Sequence, residues 1–162
     1  MDKCGDKYVF WGKPLNSFNM FIGEYYYTID PKGRIAIPSK LRKVLSKGGV
    51  ITKGLDNCLF IFSSKDWQPM AEKIKSLPLS QSNSRAFSRL MLAGAMNIKL
   101  DSQGRILVPD YLRKYVGLKK QIVLAGVFDR LEVWDEKEWE KYKKRTEKES
   151  GDIAEKLGDL GI

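Results

Sequence analysis

Two arginines, Arg34 and Arg105, stand in the same short setting. Asp30-Pro31-Lys32-Gly33-Arg34-Ile35-Ala36-Ile37-Pro38 returns as Asp101-Ser102-Gln103-Gly104-Arg105-Ile106-Leu107-Val108-Pro109. A guanidinium is permanently charged and presents a planar fork of donors, which suits phosphate oxygens and the O6/N7 edge of guanine. It does not suit acid–base or nucleophilic work, and little else in the chain does. There is no histidine. That removes the commonest general base, Ser–His and Cys–His pairs, and most metal sites. Cys4 and Cys58 are too few for a disulfide framework or a zinc site, and neither belongs to a Cys-x-x-Cys pair. Carboxylates are plentiful, but none forms an acid–base pair with a nucleophile or metal set. The expectation is binding rather than catalysis, with no catalytic residue, no metal and no cofactor.

The same spacing allows a second reading. Asp30 with Arg34 and Asp101 with Arg105 could be internal ion pairs that hold a turn. Asp30, Asp101, Gly33, Gly104, Pro38 and Pro109 read as architecture in either case. Asp hydrogen-bonds its own downstream backbone, Gly supplies a positive φ, and Pro ends the following strand.

Charge favours a polyanionic partner. Lys and Arg number 29 against 20 Asp and Glu, a net charge of +9, and cations that neutralise phosphates release condensed counterions. Lys32, Lys40, Arg42-Lys43 and Arg113-Lys114 could extend Arg34 and Arg105 into one basic stripe that positions phosphates. As cations late on short helices, the two pairs could equally serve the helix dipole alone. The alternating charges of residues 136–149 read as a solvated helix face. No apolar run reaches the roughly 18 residues of a membrane span, and the start lacks a signal-peptide pattern. The expected location is cytoplasmic, with no membrane partner.

These residues need elements to hold them. Residues 23–29 predict a strand, 30–33 a turn, 34–37 a second strand and 39–45 a short helix. Residues 50–53 and 59–62 predict a hairpin around Asp56-Asn57. A helix capped by Ser63, with Asp66 as reciprocal partner, then runs to about residue 75. After a linker at 77–84 and a short helix at 85–92 the pattern restarts, with strands at 97–100 and 105–108, a helix at 110–116, a hairpin of 121–125 with 130–134, and a helix at 136–148. The turn aspartates, 30 and 101, differ by 71 positions. The helix tryptophans, 67 and 139, differ by 72 and read as anchors against their own hairpins. Leu41-Arg42-Lys43 returns as Leu112-Arg113-Lys114.

The chain therefore divides into an N-terminal extension or artefact at 1–19, a first repeat at 20–75, a linker and short helix at 76–94, a second repeat at 95–149, and a tail at 150–162 that is frayed helix or disordered. Strands this short cannot bury an apolar face alone. The two units must pair, and the expected solution is a small barrel of interleaved hairpins with both Gly-Arg turns near each other on one face.

The doubled Asp-x-x-Gly-Arg motif, opened by Met20-Phe21-Ile22-Gly23 and closed by Leu131-Glu132-Val133-Trp134, resembles the MraZ family, tandem AbrB-like swapped-hairpin proteins, over about residues 20–145. The resemblance implies an α+β fold, a swapped-hairpin AbrB-like β-barrel formed by two tandem half-domains with flanking helices. It implies a ring-shaped homo-oligomer acting as a transcriptional regulator of the division and cell-wall gene cluster. Such a regulator binds direct repeats in double-stranded promoter DNA upstream of its own gene, in the cytoplasm and on the nucleoid. Carried over by matching position, the DNA contacts are Arg34 and Arg105, with Lys32 in the first turn and Arg42, Lys43, Arg113 and Lys114 in support. Residues 1–19 have no counterpart in the family pattern, and Gln103 stands where the first copy has Lys32. The competing expectation is a structural or antitoxin-like protein-interaction scaffold without sequence-specific DNA binding.

Overall fold

The computed structural model describes residues 20–161 and, before them, the backbone of two short strands, β1 (Val9–Phe10) and β2 (Lys13–Pro14), which pair antiparallel. The reading of 1–19 as an extension or artefact otherwise falls outside the described residues. The first repeat forms β3 (Phe21–Thr28), β4 (Arg34–Ala36), α1 (Ser39–Arg42), β5 (Gly49–Lys53), β6 (Leu59–Ser63) and α2 (Ser64–Lys75). A helix α3 (Ser82–Ser88) then runs into a π-helical turn at Arg89–Ala93. The second repeat forms β7 (Met96–Ile98), β8 (Arg105–Leu107), α4 (Asp110–Val116), β9 (Gln121–Phe128), β10 (Leu131–Asp135) and α5 (Glu136–Lys148). The tail is helical: α6 (Ser150–Lys156) precedes a 3-10 turn at Gly158–Leu160, and residues 150–161 are all exposed.

The long sheet is antiparallel, in the order β3-β9-β10-β6-β5-β7. Exchanging the repeats and reversing the list returns the same order, so the sheet has a pseudo-twofold axis. The axis passes between Phe60 and Glu132, which pair directly across β6 and β10 and lie one repeat apart in sequence. It also passes between Ile35 and Ile106, which pair across β4 and β8. The opening strand of each repeat crosses to the other, β3 onto β9 and β7 onto β5.

The interleaving of the two copies is present, while a closed barrel is not. The six-stranded sheet ends at β3 and β7, and β4 and β8 form a separate ribbon. With three residues each, those strands have enough backbone for one another and for a single bridge from Ile29 to Ile35, not for a continuous ladder.

The central strands β9, β10, β6 and β5 are largely buried on both faces, which explains why they read as apolar runs rather than alternations, while the edge strands β3 and β7 are mostly exposed. Successive residues of β6 face opposite ways. Leu59 and Ile61 join the core beneath the ribbon and short helices, with Ile35, Leu41, Ile106 and Leu112. Phe60 and Phe62 join the core on the other face, with Ile74, Val123 and Trp134. There Trp67 of α2 packs on Phe62 with ring centroids 5.5 Å apart, and Trp139 of α5 packs on Trp134 at 5.3 Å. Each tryptophan thus anchors its helix to its own hairpin. Ser63 caps α2, its Oγ accepting from the Asp66 N–H at 3.1 Å. The Asp66 carboxylate returns to the Ser63 hydroxyl at 2.8 Å rather than to a backbone N–H. Glu132 is buried on the axis and satisfied by Trp134 Nε1 and Arg130 Nε, each at 3.2 Å. No helix among the described residues is long and apolar enough to cross a membrane.

The axis pair gives the first prediction. Ile106→Ala, at a side chain 1% exposed, should cost about 2–5 kcal/mol in urea unfolding through the cavity it leaves. Ile35→Ala combined with it should cost less than the sum of the two, because the residues share one cavity.

Candidate nucleic-acid interface

Each Gly-Arg turn is built around one carboxylate. Asp30 Oδ1 accepts from the backbone N–H groups of Lys32 at 2.9 Å and Arg34 at 2.8 Å, while Oδ2 accepts from Arg34 Nε at 2.6 Å. Asp101 repeats the set with Gln103 N–H at 2.8 Å, Arg105 N–H at 2.9 Å and Arg105 Nε at 2.9 Å. The backbone closes around them, Gly33 N–H donating to Asp30 O at 2.9 Å and Gly104 N–H to Asp101 O at 3.0 Å. The N–H of Arg34 holds the Asp30 carboxyl below the ordinary value of 3.8, reinforced by the Arg34 side chain. The N–H and side chain of Arg105 do the same for Asp101.

The ion-pair reading is borne out in both turns. Nε–H carries one of the five donors of a guanidinium. Among the described residues no hydrogen bond is made by the terminal nitrogens of Arg34 or Arg105. The carboxylate therefore fixes the direction of each arginine and leaves its outer edge available.

The glycines matter for two reasons. Gly33 and Gly104 have φ of +84° and +74°, a region that side-chain-bearing residues rarely adopt. Each also lies against an arginine of the other repeat. A Cβ on Gly33 would come within 2.8 Å of Arg113 Cζ, and one on Gly104 would collide with the Arg42 guanidinium. Arg42 is held in place by Nε donating to Ile37 O at 2.9 Å. Arg113 sits by Asp110, Nη2 to Oδ1 at 3.6 Å, and its Nε is buried without a partner among the described residues. Arg42 and Arg113 thus prop the opposite turn.

Between the turns runs the β4–β8 ribbon. Arg34 pairs with Leu107 and Ala36 with Arg105, and the ribbon is tied at its ends by Val108 N–H to Gly33 O at 2.8 Å and Ile37 N–H to Gly104 O at 2.9 Å. Directly paired residues share a face, as do residues two apart on one strand. Arg34, Ala36, Arg105 and Leu107 therefore form the outer face, while Ile35 and Ile106 point into the core. The two arginines sit at diagonal corners, about 7–8 Å apart at Cα. Lys32 and Lys43 are exposed and form no ion pair among the described residues. Lys114 is exposed but reaches Asp110 Oδ2 at 2.8 Å. Sequence reasoning overlooked Leu107, which is 56% exposed on this face. Its signal was the alternation with Ile106 and Val108.

Comparison with known proteins places this geometry in a lineage. The family model described as "MraZ protein, putative antitoxin-like" matches the chain twice, at residues 20–90 and 91–159. The chain belongs to the MraZ family. The transcriptional regulator MraZ of Caldanaerobacter subterraneus subsp. tengcongensis is 46% identical over 143 residues, and that of Acetivibrio thermocellus is 47% identical over 143 residues. Both alignments cover 88% of this chain and the whole of the relative. MraZ is a family of transcriptional regulators rather than of enzymes. Cys58 is buried, and burial pushes its thiol pKa far up.

Two predictions follow from the turn. Gly104→Ala should destabilise the fold by about 1–3 kcal/mol in urea unfolding, and Arg42→Ala in the same chain should recover part of that loss by removing the collision while leaving the φ strain. Because the folded Asp30 and Asp101 carboxyls titrate below 3.8, their contribution to stability is complete above that pH and is lost as pH falls through their folded values. A carboxyl NMR titration should place both midpoints below 3.8, and Asp30→Asn with Asp101→Asn should flatten the acid limb of a stability–pH curve.

Proposed function

We propose that the protein regulates transcription by binding double-stranded DNA through the outer face of the β4–β8 ribbon. The observation that carries this reading is the pair of carboxylate-aimed arginines, Arg34 and Arg105, on one face of a narrow two-stranded ribbon. The strands of such a ribbon lie about 4.8 Å apart, and the B-DNA major groove, about 12 Å wide, admits one. The arginines contact guanine edges or phosphates, Lys32 adds a charge beside Arg34, and Lys43 and Lys114 position neighbouring phosphates. Arg42 and Arg113 contribute by holding the turns and by their charge. We read the crossed strands and shared ribbon as the swapped-hairpin arrangement of two AbrB-like repeats, 20–75 and 95–149, joined by 76–94.

The likeness to the family supports the rest of the proposal. The protein assembles as a ring-shaped homo-oligomer, works in the cytoplasm on the nucleoid, and binds promoter direct repeats of the division and cell-wall gene cluster. A ring presents many copies of the ribbon, so modest single contacts gain avidity by tethering.

Gel-shift titration of promoter duplex tests the reading. Arg34→Ala or Arg105→Ala should each weaken binding by about 1–3 kcal/mol, roughly 5- to 150-fold, with oligomer mass unchanged. Raising salt should weaken binding steeply. Unchanged affinity in the double variant, or equal affinity for promoter and random duplex, would favour a protein-interaction scaffold instead.

A further inference from the structure

We infer that Lys32, Gln103, Ala36 and Leu107 set the direction in which the ribbon reads each direct repeat. The inference rests on the DNA-binding reading above and adds which residues give its target polarity.

The scaffold of the ribbon is symmetric. The pseudo-twofold axis passes between Ile35 and Ile106, and each turn aspartate binds the same three donors at distances that differ by no more than 0.3 Å. A ribbon with matching side chains would meet DNA equally well after a half turn, and its best site would mirror that symmetry as a palindrome. The outer side chains break the match. At one end Arg34 is accompanied by Lys32 and paired with Leu107. At the other Arg105 is accompanied by Gln103 and paired with Ala36.

The two ends therefore offer different chemistry on turns with matching hydrogen bonds. Lys32 is a point charge that bonds guanine O6/N7 or a phosphate, and the exposed Leu107 offers an apolar surface to a thymine methyl. Gln103 carries an amide that can pair with the N6/N7 edge of adenine, and Ala36 leaves room beside Arg105. Exchanging the ends would set each side chain against the wrong base. The element read is therefore asymmetric, with a lysine–leucine arm and a glutamine–alanine arm.

Selection from duplexes with a random central segment tests this, using the full chain and two symmetrised variants. Gln103→Lys with Ala36→Leu makes both ends like the first, and Lys32→Gln with Leu107→Ala makes both like the second. Circular dichroism and oligomer mass check folding. If Ala36→Leu impairs it, Gln103→Lys alone serves, since that side chain is exposed at the turn. The unaltered protein should enrich an element with no internal dyad. Each two-residue variant should enrich a palindrome built from one arm and its reverse complement, and bind the original element about tenfold or more weakly. Gln103→Lys alone should lose base preference in one arm only. A palindromic element for the unaltered protein, or an asymmetric element retained by the variants, would overturn the inference and leave DNA binding intact. No enrichment by the unaltered protein would overturn the DNA-binding reading itself.

Discussion

Neither repeat keeps its own opening strand, and that exchange is the constraint on which the other features depend. β3 completes the sheet beside β9, β7 completes it beside β5, and the two short strands β4 and β8 pair with each other, with a single bridge from Ile29 to Ile35 besides. A three-residue strand has too little area to hold itself against the entropy of ordering it. Pairing on the pseudo-axis solves this by laying Ile35 and Ile106 together onto the core shared by both copies. The cost is topological, since residues far apart in sequence must meet before either repeat is complete, and such folds form slowly. The gain is a ribbon whose position is fixed by the whole molecule rather than by a loose hairpin.

That fixed ribbon explains how each arginine can be tied to its turn through Nε while its terminal nitrogens make no hydrogen bond among the described residues. In each turn a carboxylate takes two backbone N–H groups and one guanidinium N–H, so the side chain is aimed before any partner arrives. Preorganisation of this kind lowers the ordering entropy that binding would otherwise cost. The reciprocal props, Arg42 against Gly104 and Arg113 against Gly33, seat each repeat's short helix against the other repeat's turn. The high net positive charge then supplies attraction at long range.

Local chemistry and the interleaving of the two copies were legible in the sequence, and the individual contacts made across the axis were not. Asp30, Gly33 and Arg34 dictate their turn through groups within five residues, and the copy at Asp101 verifies it. The tryptophan anchors were equally readable, because Trp67 and Trp139 pack on strands next to them in sequence. The closed barrel was a reasonable expectation for interleaved hairpins, but it depended on strand lengths that propensity does not fix. The props formed by Arg42 and Arg113 were invisible for the same reason: a helix-terminal arginine gives no sign of which distant glycine it will rest on. Nothing in the sequence marked Glu132, and only the pairing with β6 places it on the axis beside Arg130 and Trp134.

Hydrogen–deuterium exchange of the intact protein, with and without duplex from upstream of its own gene, tests the central claim most directly. The account predicts protection concentrated in the segments covering residues 30–38 and 101–109, the two turns and their ribbon, with α5 and α6 little changed. Protection confined to α5 and α6, with the ribbon exchanging as in the free protein, would contradict it.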